Sequence, residues 1–214
     1  MGPRLYPFAL FAAWVVAWIV NLTLRSRMGW DVRVDTIYWI ALKAIVWIVP
    51  VVLVIRLRER DSVAEFLDLR NLASGLRWGF GVGAVLVIVT YLGRTLPSGS
   101  RLTVPELSLP LVNAVIVSPL VEEITLRGFL LKELELSGDS FWRANTLTAL
   151  VFLAMHLPGW LFQGRIPTAA GFAQRALPIA ALGLLFGWTK RRADSLYAAI
   201  VVHAINNVYS ALFP

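Results

Sequence analysis

The stretch LSLPLVNAVIVSPLVEEITLRGFLL, residues 107–131, is long and apolar enough to cross a membrane, yet Glu122, Glu123 and Arg127 stand where such a helix should be dry. Spanning a hydrocarbon layer about 30 Å thick takes about 20 mostly apolar residues. An ionisable side chain at that depth costs about 2.5–3.5 kcal/mol on insertion scales and marks a functional site by default. At a charged helix end in the interface the same residues would cost little, and this stretch alone does not choose.

On either side the chain reads as further spans. They run from about Pro7 to Leu24, Thr36 to Ile55 and Trp78 to Leu92, and then from about Phe141 to Leu157, Ala176 to Thr189 and Leu196 to Leu212. With Leu107–Leu131 as the fourth, the expectation is an all-α, polytopic membrane helix bundle of about seven transmembrane helices. It would form one transmembrane domain over residues 1–214, with the motif-bearing half at about 107–212. Composition agrees: 58% of residues are hydrophobic and mean hydropathy is +0.70, against roughly 45–50% apolar usage in soluble domains. The run from Pro7 is longer than a secretory signal core and no small-x-small cleavage site ends it, so it counts as a span. No internal repeat is visible.

The net charge of +7 does not indicate nucleic acid, because the basic residues fall between spans and read as topology determinants facing anionic lipid. Arg4 and the loops after the second, fourth and sixth spans hold more Lys and Arg than the other side, which favours a cytoplasmic N-terminus. Arginine outnumbers lysine, as in GC-rich bacterial genomes, and the expected location is a prokaryotic cell membrane. The absence of cysteine removes disulfides, thiolate catalysis and Cys-ligated metals.

Within this frame Pro50 reads as a tolerated kink and Pro158 as a stop or kink. Residues Arg56–Asn71, with a stripe of Val63, Phe66 and Leu67, read either as an interfacial amphipathic helix or as a solvated loop. Arg94–Pro105 reads as a loop. Lys43 inside the second span is either an interior or snorkelling lysine or the partner of a buried carboxylate.

On a helix, residues four apart share a face and adjacent ones diverge by about 100°. Glu123 and Arg127 therefore pair in the favoured order, leaving Glu122 turned away and free. Ser118-Pro119 is either an N-cap with a first helical residue, which would break the span, or a kink in a continuous helix. His156 follows Phe152 by four residues and Asn207 follows His203 by four, so each pair shares a face. A lone histidine in an apolar helix is ordinarily polar glue between helices; both histidines of the chain on such helices, one with a matched Asn, weigh toward function.

Together these residues resemble the CAAX protease and bacteriocin-processing family, also called the Abi or glutamic-type intramembrane protease family. Glu122 to Arg127 fits its Glu-Glu-x-x-x-Arg motif, Phe152 to His156 its Phe-x-x-x-His motif, and His203 to Asn207 its His-x-x-x-Asn motif. The chain is short for the family and lacks an eighth span. The resemblance implies an intramembrane endopeptidase acting on a membrane-anchored or lipidated peptide or protein within the bilayer. Its catalytic residues would be Glu122, His156, His203 and Asn207, with Glu123, Arg127 and Phe152 in support. A desolvated Glu122 suits a general base that activates water, His156 would share that water, and His203 with Asn207 would stabilise the oxyanion. The expected mechanism uses no cofactor. Zinc stays open as the alternative, with Glu122, His156 and His203 as ligands, because that donor set matches catalytic zinc without a His-Glu-x-x-His spacing to support it. An ion- or proton-coupled transporter and a non-catalytic scaffold or immunity protein of the same fold are the competing functions.

Overall fold

The computed structural model describes residues 5–58, 62–165 and 168–214, and all regular structure among them is helical. Arg4 and residues 59–61, which enter the topology reading and the Arg56–Asn71 stretch, lie outside the described residues. The elements are α1 (Tyr6–Met28), α2 (Val32–Leu57), the one-turn α3 (Val63–Phe66), α4 (Leu72–Ser98), α5 (Leu109–Leu136), α6 (Phe141–Phe162), α7 (Ala169–Ala193) and α8 (Leu196–Leu212). Six of them are long and apolar enough to cross a membrane. The seventh expected span is present as α8, whose 17 residues cover about 25 Å at 1.5 Å per residue. Large apolar side chains such as Phe8, Leu53, Val85 and Leu177 point outward, as lipid-facing residues of an integral membrane protein do.

Helices start and stop where local chemistry satisfies their free ends. Asp31 caps α2 by accepting from the backbone N–H groups of Arg33 and Val34, and Thr168 caps α7 through the N–H of Gly171. Gly29 closes α1 at φ 61°.

Three of the prolines that lie inside spans without breaking them share one device. Pro50, Pro97 and Pro119 are each preceded by a π-helical turn, Ala44–Ile48, Tyr91–Thr95 and Asn113–Val117. In each, the N–H before the proline (Val49, Leu96, Ser118) reaches the carbonyl five residues back. The wider turn absorbs the missing donor and the ring's clash with the preceding turn. The capped break at Ser118-Pro119 is therefore not formed, and α5 is continuous. Pro158 does not stop α6, which runs to Phe162. The helical part of α4 likewise extends into the expected 94–105 loop.

The Val63, Phe66 and Leu67 stripe belongs to α3, capped by Ser62 and Glu65 as a capping box. Phe66 and Leu67 are buried against Val51, Ile55, Phe129 and Leu196, so the stripe packs into the bundle. Just beyond it, Asp68 takes φ 54° and its carboxylate binds Lys190 Nζ at 2.7 Å and Lys132 Nζ at 3.5 Å. Burial pushes the Asp68 carboxyl up, but Lys190 and Lys132 outweigh it and hold it below the ordinary carboxylate value. A depressed carboxylate contributes stability above its unfolded pKa, about 3.9, which is lost as pH falls through the folded value. Asp68→Asn, which also tolerates a left-handed backbone, should lower the unfolding temperature at neutral pH. It should also flatten the loss of stability below about pH 4, read by thermal unfolding across that range.

Helix α8, which carries His203 and Asn207, is positioned by a glycine ladder on α4. Gly75, Gly79 and Gly83 lie at i, i+4, i+8 against Ser195 and Tyr197, Val201, and Ile205, the small-residue close approach favoured between membrane helices. A Cβ at Gly79 would sit 2.7 Å from Val201 Cβ, so α8 itself would have to move. Gly79→Ala should destabilise by about 1–3 kcal/mol and displace His203, two residues further along α8. Thermal unfolding and activity measured on one sample check both.

Candidate active site

Glu122 lies near the middle of α5, between the π turn at Asn113–Val117 and a second one at Ile124–Leu130. The second has no proline; it carries Arg127 and Gly128, with the N–H of Leu131 reaching the carbonyl of Leu126. π turns of this kind concentrate at functional sites. They set the Glu-Glu-x-x-x-Arg segment of α5 against α6, α7 and α8.

Arg127 is fully buried and its two terminal nitrogens are bonded from two helices. It donates to Glu123 Oε1 at 3.1 Å and to the carbonyl of Gly183 at 2.8 Å. Its guanidinium also lies 4.8 Å from the centroid of the Phe152 ring and 5.5 Å from that of Phe186. Glu123, also fully buried, receives a second bond at the same oxygen from His203 Nδ1, at 2.8 Å. Glu123 thus does more than neutralise Arg127: it fixes the ring of His203 with Nδ1 as donor and turns Nε2 toward Glu122, whose Oε2 is 3.9 Å away. Phe186 stacks on the His203 ring at 4.6 Å and 17°, while Phe152 meets it edge-on at 5.6 Å.

Phe152 also meets His156, at 4.8 Å and 78°. His156 Nδ1 lies 2.8 Å from the carbonyl of Phe152. A carbonyl only accepts, so Nδ1 carries the hydrogen and Nε2 of the neutral ring is an acceptor. Glu122, His156, His203 and Asn207 line one cavity of about 210 Å³ together with Ser118, Phe152 and Phe186. All four sequence-predicted site residues therefore line a single cavity, with Glu123 and Arg127 behind it.

Asn207 is placed differently from the expectation of a free oxyanion donor. Its Nδ2 donates to the carbonyl of Ala114 at 2.8 Å. That carbonyl is vacant because Ser118 N–H bonds Asn113 instead and Pro119, the next possible donor, has none. One Nδ2 hydrogen of Asn207 thus ties α8 to α5, and the second remains for the cavity.

Two residues enter the site without a motif to announce them. Phe186 on α7 supplies the stacked face of His203. Lys43 on α2 donates to Ser118 Oγ and places its Nζ 3.9 Å from Glu122 Oε1. Of the two readings of Lys43, the structure realises the carboxylate partner.

Among the described residues, no three His, Asp or Glu side chains converge as a metal-ligating group, and Glu122, His156 and His203 do not form one.

A family model described as type II CAAX prenyl endopeptidase, Rce1-like, matches residues 105–209, which contain α5 to most of α8 and all three motifs. No curated protein and no solved structure matches the chain.

Proposed function

The chain belongs to the type II CAAX prenyl endopeptidase, Rce1-like family, and from that premise we propose that it is an intramembrane endopeptidase in which Glu122 activates the hydrolytic water. The observation that carries this reading is the meeting of Glu122, His156 and His203 at one small cavity inside the helix bundle. Glu122 takes one proton from water as the oxygen attacks the scissile carbonyl. His156 Nε2 accepts the other hydrogen and fixes the water's orientation. The tetrahedral oxyanion is met by the free Nδ2 hydrogen of Asn207 and by His203 Nε2 in the imidazolium form of that ring. Collapse breaks the C–N bond as Glu122 returns its proton to the leaving nitrogen, giving a carboxylic acid and an amine, between which the remaining proton then redistributes. Glu123 and Arg127 are positioning residues, because they act through His203 and the aromatic pair.

The substrate is a membrane-anchored peptide, and a prenylated C-terminal peptide is the class the family description names. Reconstituted in phosphatidylethanolamine–phosphatidylglycerol vesicles, the protein should cleave at least one of three probes: a farnesylated CAAX peptide, a bacteriocin leader peptide, or a peptide with a C-terminal hydrophobic anchor. Ion-dependent uptake with no cleavage of any probe would contradict the proposal. The side-chain mechanism further predicts full activity after exhaustive chelation, with metal content measured on the same vesicles; activity that falls with the metal and returns on zinc addition would replace it.

A further inference from the structure

Two carboxylates adjoin in α5, and each has its own cation. Arg127 serves Glu123 from four residues along the same helix. The cation facing Glu122 comes from elsewhere: Lys43 sits on α2, 75 residues before Ser118 and outside the matched region 105–209. Its side chain is 9% exposed and that of Glu122 is 14%, so neither charge is well solvated, and an unpaired buried charge is costly. The other charged or titratable groups around Glu122 are His203 at 3.9 Å, Arg127, which is engaged by Glu123, and His156 across the same cavity. Among the described residues, Lys43 is thus the one cation in direct reach that is not already committed to Glu123.

Its geometry is bidentate across one face of α5. Ser118 and Glu122 are four residues apart, and the Lys43 ammonium holds the hydroxyl of the first while facing Oε1 of the second. Anchoring on Ser118 fixes where a flexible lysine puts its charge. With Oε1 turned to Lys43, Oε2 is the oxygen presented to His203 and the cavity.

We infer that Lys43 is a positioning residue for the reaction, orienting Glu122 through a contact that joins the N-terminal helices to the motif-bearing half. This rests on Glu122 being the base. The chain therefore needs α2 for turnover as well as for packing.

The test uses the full-length protein in vesicles with whichever probe peptide the parent cleaves. Lys43→Met should lower kcat by about 100-fold, the scale of a lost acid–base alignment, with KM within about 3-fold, since Lys43 does not face the peptide. Lys43→Arg, which keeps the charge, should restore at least about a tenth of parental kcat. Should Lys43→Met not accumulate as folded protein, Ser118→Ala decides: with the anchor gone and the lysine present, kcat should fall about 10-fold at unchanged KM. Parental kcat in Lys43→Met, or in Ser118→Ala where that is the deciding variant, overturns the inference, as does a loss seen only in KM. Glu122→Gln in the same assay separates the two levels. If it is active, the base assignment fails whatever Lys43 does; if it is dead while Lys43→Met is unimpaired, only the role of Lys43 is lost.

Discussion

Arg127→Ala should leave little folded protein, with a stability loss of about 3–5 kcal/mol, the scale for breaking a buried ion pair by removing one member. Net stabilities run to about 5–15 kcal/mol, so the loss takes a large share of the whole. The reason lies in how much converges on one guanidinium. It meets Glu123 on its own helix, the carbonyl of Gly183 on α7, and the rings of Phe152 and Phe186. Without it, the fully buried Glu123 loses its countercharge and the α5–α7 contact loses its polar bridge. Replacing both members by apolar residues of similar size is far less costly than removing one, so Arg127→Leu with Glu123→Leu should recover much of the unfolding temperature. That double variant should still be inactive, because His203 Nδ1 has lost the carboxylate that orients it. An Arg127→Ala protein unfolding within about a degree of the parent would show that the pair carries no such weight.

Much of this arrangement is legible in the sequence because it is helical and local. Four-residue spacing pairs Glu123 with Arg127 and brings Phe152 beside His156, and both contacts form. The Glu123–His203 bond, the Phe186 stack and the Lys43–Ser118–Glu122 contact join residues on different spans, and no periodicity within one helix reports which faces of two helices meet. Lys43 shows the limit clearly: an interior lysine announces a partner without naming it, and the choice is made by how α2 packs on α5. The prolines left two readings open for a related reason. Pro119 and Pro158 carry the signals of helix ends, but in a bundle a widened turn or a neighbouring side chain satisfies the freed groups. At Pro119 that neighbour is Asn207, whose bond to Ala114 turns an apparent break into an inter-helix tie. The glycines of α4 fit an apolar span read alone; their ladder acquires meaning only against Val201 and Ile205.

Glu122→Gln carries the largest expected effect on turnover. The amide keeps the volume and the helix but cannot take a proton from water, and loss of a positioned general base costs about 10²–10⁴ in rate. The upper end is expected here, since among the described residues no other carboxylate lines the cavity: Glu123 is fully buried behind His203 and committed to it and to Arg127. Peptide affinity should be unchanged, because the step removed follows binding. Unfolding temperature should fall only modestly, since the Lys43 ammonium loses the charge of a carboxylate 3.9 Å away but keeps its bond to Ser118. A carrier or a scaffold would show no proteolysis to lose. The decisive measurement is the single-turnover rate of peptide cleavage by parent and Glu122→Gln proteins in the same vesicles, both shown folded by thermal unfolding. The expected result is cleavage by the parent and a rate at least about 1,000-fold lower in the variant. Cleavage by Glu122→Gln within about tenfold of the parent would contradict a glutamate-activated water.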